Sequence, residues 1–280
     1  MHIKLLLMLL LFLIYVTNSF AALAPAELNA IGAKVWQNEC GGKTTELINW
    51  NQGENFISLG IGHNIWYPKN QRDIFDESFP KLIQFMRKNG VVMPKWLNQD
   101  DAPSCPWQTQ AEFLQAKQEN NLLFQELQQF LISTIPWQAK YLIYRLETVL
   151  PQILELAPNQ EQARIKKTLE DLMKTPNGYY ALIDYINFKG DGIKEYKKNP
   201  GGCNCDCNQV YACGWGLLQI LRKMQYAPKN SSINQAYAWA VKATLTCRVL
   251  SAPKERKENE KRWLPGWLKR ADTYNNFKNW

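Results

Sequence analysis

The stretch from Glu39 to His63 constrains this chain more than any other part of it. Residues 26–38 carry helical periodicity, with Leu28, Ile31, Val35 and Trp36 on one face. Glu39-Cys40-Gly41-Gly42 follows at once, and glycine just past the last turn is the favoured helix stop. Two short apolar segments, 47–50 and 56–61, flank the turn Asn51-Gln52-Gly53-Glu54 and read as a β-hairpin. A helix that stops in glycines and feeds a hairpin sets that hairpin beside the helix end, as one wall of a cleft.

The rest reads as helix. Residues 80–89 form a helix stopped by Gly90, and 94–107 are a Pro- and Asp-rich connection. Residues 109–131 and 137–150 have apolar side chains three and four apart. Ala157-Pro158-Asn159 breaks the chain before a helix at 161–174, and Pro176-Asn177-Gly178 reads as a turn. Residues 179–188 are apolar and aromatic enough for a buried helix, and 216–225 and 233–250 are helical. The charge run 254–262 is a solvated helix face or start. No repeat of 20–50 residues is present, which argues against solenoids and propellers. The expectation is an α+β fold, mostly helical, with one small hairpin after the first helix.

The N-terminus sets the expected compartment. Lys4 precedes an almost unbroken apolar run at 5–16, and Ser19-Phe20-Ala21 is a small-x-small cleavage pattern. Residues 1–22 therefore read as a signal peptide. The competing reading is an uncleaved anchor, but the run falls short of the ~20 residues that span a bilayer. No cysteine stands at the cleavage site, which argues against a lipoprotein. The expected product is periplasmic or secreted, without stable membrane insertion. It comprises residues 23–280 as one domain with a Cys-rich loop at about 201–213. The 33 Lys and Arg outnumber 25 Asp and Glu, so the partner is expected to be anionic. Export makes nucleic acid a poor candidate and an anionic envelope polymer a better one.

Seven cysteines leave at least one thiol unpaired within the chain. Cys203, Cys205, Cys207 and Cys213 are crowded together. Export permits them to form disulfides that staple a loop. Four thiolates can also close a tetrahedral zinc site, although Cys-x-Cys-x-Cys is not the usual knuckle spacing. Both readings stay open on the sequence, with disulfides the stronger and redox chemistry the weaker third.

Glu39 is the candidate for chemistry. A carboxylate at a helix C-terminus meets the partial negative charge of the helix end, and an acid held protonated there can serve as a general acid. Two glycines beside it leave room for a ligand. Ser58-Leu59-Gly60-Ile61-Gly62-His63 follows in the hairpin, with Glu39 19 residues before Ser58.

These residues resemble the lysozyme-like superfamily, which includes phage and animal lysozymes, lytic transglycosylases, chitosanases and plant-type chitinases. Its signature is a Glu ending the first long helix, followed in the phage branch by a hairpin containing Thr/Ser-x-Gly-x-Gly-His. The resemblance is firm over about 30 residues and looser over 60 more, including Trp215-Gly216-Leu217-Leu218-Gln219 and Arg262-Trp263-Leu264-Pro265-Gly266-Trp267. It implies a lysozyme-like fold, Glu39 as catalytic acid, Ser58 as the residue that helps hold the attacking water, and His63 as a largely structural histidine. Gly60 permits close backbone or ligand approach. Tyr179 is either core or a sugar platform, and Asn187 sits where several branches place an Asn beside the glycan.

One departure bears on mechanism. Phage lysozymes carry an Asp about six residues before the Thr, where this chain has Asn51 or Gln52. Glu54 is nearby, either as a substitute acid or as a turn carboxylate in water. Hydrolysis ordinarily needs two carboxylates, whereas lytic transglycosylases work with one Glu. The resemblance therefore implies an exported bacterial enzyme that cuts peptidoglycan, by transglycosylase or muramidase chemistry, with no cofactor and no metal. A chitosanase or chitinase of the same superfamily, or a non-catalytic envelope-binding protein of that fold, are the alternatives.

Overall fold

The computed structural model describes residues 24–73, 75–99, 103–198, 207 and 214–275. The signal-peptide reading of residues 1–22 lies outside them. The described residues are mostly helical with one small antiparallel sheet, the α+β class expected. They gather into two compact units, one within 28–145 and the other formed by 24–27 together with those after 145.

The first unit opens with α1 (Pro25–Cys40). Its stop at Gly41 and Gly42 is as the sequence indicates. Both glycines have positive φ, +59° and +70°, and their amides bond back to the carbonyls of Gln37 and Trp36. The left-handed backbone needed here is one that glycine adopts freely. A 3₁₀ turn, Thr44–Glu46, leads into β1 (Ile48–Asn49), β2 (Ile57–Leu59) and β3 (Asn64–Trp66). The sheet order is β1-β2-β3, with Asn49 opposite Ser58 and Ser58 opposite Ile65.

The expected two-strand hairpin is therefore three-stranded. The second strand stops at Leu59 instead of running to residue 61. Gly60 at φ +71° and His63 at φ +46° reverse the chain there, and the His63 amide donates to the Gly60 carbonyl. Gly60 and Ile61, expected as the end of that strand, belong to a turn, and the apolar segment after it supplies β3.

Helix α2 (Phe79–Lys88) buries Phe79, Leu82, Ile83 and Met86. The expected single helix over 109–131 is two, α3 (Gln110–Gln118) and α4 (Leu122–Ser133). Asn120 at φ +47° breaks it, and the Asn121 side chain caps α4 by accepting from the Phe124 amide. Asparagine tolerates the left-handed turn and caps well, so two of them outweigh the apolar periodicity running across the break. Helix α5 (Ile135–Leu156) follows, with Pro151 inside it.

In the second unit, α6 (Asn159–Leu172) precedes α7 (Pro176–Lys189). Pro176-Asn177-Gly178, expected as a turn, is the first turn of α7. Thr175 caps it by accepting from the Gly178 amide. Proline suits a first helical turn because its missing N–H has no partner to lose there. From Asn177 to Ile186 every residue of α7 is buried, as its apolar, aromatic composition indicates. Asp184 is fully buried and accepts from Arg270 Nε and Nη2, each at 2.8 Å, and from the Tyr274 hydroxyl at 2.6 Å.

Two short helices follow, α8 (Ile193–Lys198) and α9 (Leu217–Lys223), then α10 (Ile233–Leu250) and α11 (Lys254–Asp272). The charge run at 254–262 is thus the start of a long helix. Its Glu260 is buried against Arg248 on α10, at 2.8 Å from both Nε and Nη2. Cys207 forms a disulfide with Cys247 of α10. Cys203, Cys205 and Cys213 lie outside the described residues. Cys40 and Cys105 are free and buried.

Candidate active site

Helix α1 and the β2–β3 turn converge through small residues. A Cβ on Gly32 would stand 2.5 Å from that of Ala139 on α5 and 3.9 Å from Ile61 Cδ1. Glycine at 32 lets α1, α5 and the turn pack at backbone distance. Glu39 lies seven residues on, two helical turns along the same face.

The turn is clamped from α5. Gln138 is 1% exposed. Its Oε1 accepts from the Ile61 amide at 2.8 Å, and its Nε2 donates to the Leu131 carbonyl at 2.7 Å and the Thr134 hydroxyl at 3.1 Å. A Cβ at Gly60 would stand 2.3 Å from Gln138 Oε1. The space that glycine leaves at residue 60 is thus filled by the Gln138 amide of the protein itself. No local signal could have singled out Gln138, which is 77 residues from its partner Ile61.

The clamped turn presents His63 to the end of α1. His63 Nδ1 lies 3.5 Å from Glu39 Oε2, and His63 Nε2 lies 3.4 Å from Cys40 Sγ. The Cys40 thiol also approaches the Gly60 carbonyl at 3.8 Å. The Glu39 side chain is 13% exposed and that of His63 27%, so the pair is largely shielded yet open to solvent on one side. Burial, with the charges of Glu39 and then Glu46 behind it, pushes the Cys40 thiol up to about 12. The thiol is therefore a proton donor at any ordinary pH. Glu46, in the 3₁₀ turn, carries a charge felt at the same thiol. Sequence reasoning passed over it because nothing local separates it from a solvated turn residue.

Ser58 is 5% exposed at the centre of the sheet, paired to Asn49 and Ile65. Glu54 stands in the β1–β2 turn, three residues ahead of the first residue of β2, so strand alternation does not extend from Ser58 to it. Its Oε2 accepts from Asn51 Nδ2 at 3.1 Å, and its backbone carbonyl accepts from Trp50 Nε1 at 2.8 Å. Burial raises the Glu54 carboxyl above the usual range, with the Asn51 hydrogen bond opposing it.

Glu39, Glu54, Ser58, Gly60 and His63 all belong to the Leu28–Arg145 unit, whereas Tyr179 and Asn187 belong to the other. Tyr179, on α7, is 4% exposed, and Tyr180 beside it is fully buried. Asn187 is half-buried near the end of the same helix. Among the described residues, no group of three or more His, Cys, Asp or Glu is placed to hold a metal ion. Glu39 and Cys40 meet opposite nitrogens of the His63 ring, so the three do not converge on one point. Among the described residues, no helix is long and apolar enough to cross a membrane. No protein-family model, no curated protein and no solved structure matches this chain.

Proposed function

We propose that this chain is an exported murein-cleaving glycosidase of lysozyme-like fold, with Glu39 as its general acid and base. The observation that carries the reading is the meeting of two sequence-distant features. Glu39 stands in the last turn of α1, and the Gly60–His63 turn folds back to put an imidazole 3.5 Å from its carboxylate. A shielded carboxyl at a helix C-terminus, open to solvent on one side, suits proton transfer to a leaving oxygen.

Glu39 protonates the glycosidic oxygen between N-acetylmuramic acid and N-acetylglucosamine as the C1–O bond breaks. The muramic 6-hydroxyl then bonds to C1 and returns its proton to Glu39, leaving a 1,6-anhydro ring. Glu54 is tied to Asn51 in its own turn, which supports a one-carboxylate mechanism over a two-carboxylate hydrolase. The net charge of +8 supports an anionic glycan such as peptidoglycan over cationic chitosan.

The same three side chains also stand in the order of a thiol nucleophile, a base and an orienting carboxylate: Cys40, His63, Glu39. Reactive thiols are exposed and easily ionised. Cys40 is 3% exposed and its thiol is pushed up to about 12, so the carboxylate reading is the better supported.

Activity gels on murein, chitin and chitosan test the proposal. Murein clearing by the wild type, lost by at least ~10²-fold in Glu39→Gln, is the expected result. Full activity in Glu39→Gln would falsify the assignment. Clearing of chitin or chitosan alone points to the sister activities, and no clearing on any of the three points to a binding protein.

A further inference from the structure

The histidine of the Gly-x-Gly-His turn does more here than brace the turn. The Cys40 thiol has one proton and two acceptors in reach, the Gly60 carbonyl at 3.8 Å and His63 Nε2 at 3.4 Å, and the nearer and more basic imidazole nitrogen takes it. An accepting Nε2 places the ring proton on Nδ1, facing Glu39 Oε2 at 3.5 Å. This is the opposite of the tautomer a histidine side chain favours in water. The ring is held at both nitrogens, while the turn that carries it is locked by Gln138 on Ile61. Glu39 and Cys40 are consecutive on α1, so one helix end supplies both the carboxylate and the thiol that sets the histidine against it.

We infer that His63 is a positioning residue for the Glu39 carboxyl, donating to it through Nδ1–H, and that Cys40 fixes the His63 tautomer that makes this possible. The catalytic consequence rests on the reading of Glu39 as the acid, whereas the tautomer does not. Oε2 is steered by the imidazole, and the carboxyl plane is thereby set relative to the leaving oxygen. A carboxyl released from this contact rotates, and a misplacement near 1 Å can cost ~10²-fold in rate.

Two measurements on the full chain test the inference. The chain has two histidines, His2 and His63, so an imidazole ¹⁵N spectrum is simple, and His63→Asn identifies the His63 signals by their loss. The expected spectrum at neutral pH has Nδ1 protonated and Nε2 bare. Cys40→Ala is expected to shift the ring toward the other tautomer, and Cys40→Ser, which keeps a donor, to preserve it. A protonated Nε2 in the wild type, or no response to Cys40→Ala, overturns the inference whatever the enzyme does.

The second measurement is murein turnover. His63→Gly accepts the positive φ of this position and removes the ring. It is expected to lower kcat by about tenfold to a hundredfold with KM changed less than threefold. His63→Asn also tolerates this backbone and places an amide N–H near the Nδ1 position, so it is expected to recover kcat to within about fivefold of wild type. Equal loss in the two variants overturns the positioning role while a dead Glu39→Gln leaves the acid assignment standing. Wild-type protein inactive on every glycan, with the expected tautomer intact, overturns the acid reading and the catalytic role with it, and leaves the tautomer assignment correct.

Discussion

Replacing Gly60 by alanine tests whether the β2–β3 turn is held by its close approach to Gln138. Two separate penalties follow from the geometry. An L-residue at φ +71° costs about 1–2 kcal/mol. The new Cβ would lie 2.3 Å from Gln138 Oε1, so the amide must swing away. That strands the Ile61 amide and the Leu131 carbonyl, both bonded to Gln138. An unsatisfied buried group costs about 1–3 kcal/mol, so Gly60→Ala is expected to destabilise by roughly 3–4 kcal/mol. Gln138→Ala loses the same hydrogen bonds without the backbone strain, about 2–3 kcal/mol. In the double variant the hydrogen bonds are lost only once. Its total is then about 4 kcal/mol, against roughly 6 for the sum of the singles, a coupling near 2 kcal/mol. Urea unfolding followed by tryptophan fluorescence measures all four corners. Additive energies within about 0.5 kcal/mol would refute the clamp, as would a Gly60→Ala effect below that size.

The remaining predictions concern Glu54, the disulfide and the buried ion pair. Burial raises the Glu54 carboxyl in the fold above its unfolded value. The folded chain therefore holds this proton more tightly, and the associated stability is present at low pH and lost as pH rises through the raised value. Glu54→Gln is expected to gain stability on wild type over that rise, and to cut murein cleavage less than tenfold with anhydro products one water lighter by mass spectrometry. Parallel stability–pH curves, or a loss as deep as that of Glu39→Gln, would remove the corresponding claim. Cys207 and Cys247 are 40 residues apart, so Cys247→Ser is expected to destabilise by about 4 kcal/mol if closure of that loop sets the effect. Urea midpoints of wild type and variant should merge in reducing buffer. Asp184→Asn leaves Arg270 without its bidentate partner and is expected to cost about 3–5 kcal/mol, and a loss under 1 kcal/mol by calorimetry would show that the pair relaxes into water.

What could be read directly from the residues was whatever depends on neighbours along the chain. The stop of α1 at Gly41-Gly42 and the span of α10 follow from glycine's freedom of φ and from the helical period, and the burial of α7 from its unbroken apolar, aromatic composition. The α+β class follows from one short β-rich segment among long helical ones. The same local reasoning failed where a residue type serves two structures. Ser58–His63 reads equally as strand or as strand plus turn, and the positive φ of Gly60 and His63 decided for the turn. Asn120 and Asn121 broke a periodic run, and Pro176 opened a helix where it looked like a turn. Only the tertiary structure brought His63 to Glu39 and Cys40, set Gln138 on Ile61 and left Tyr179 in a core. These contacts join residues from 23 to 77 positions apart. Their partners are selected by packing of whole helices at small residues such as Gly32 and Ala139, and nothing in the flanking sequence encodes which side chain arrives.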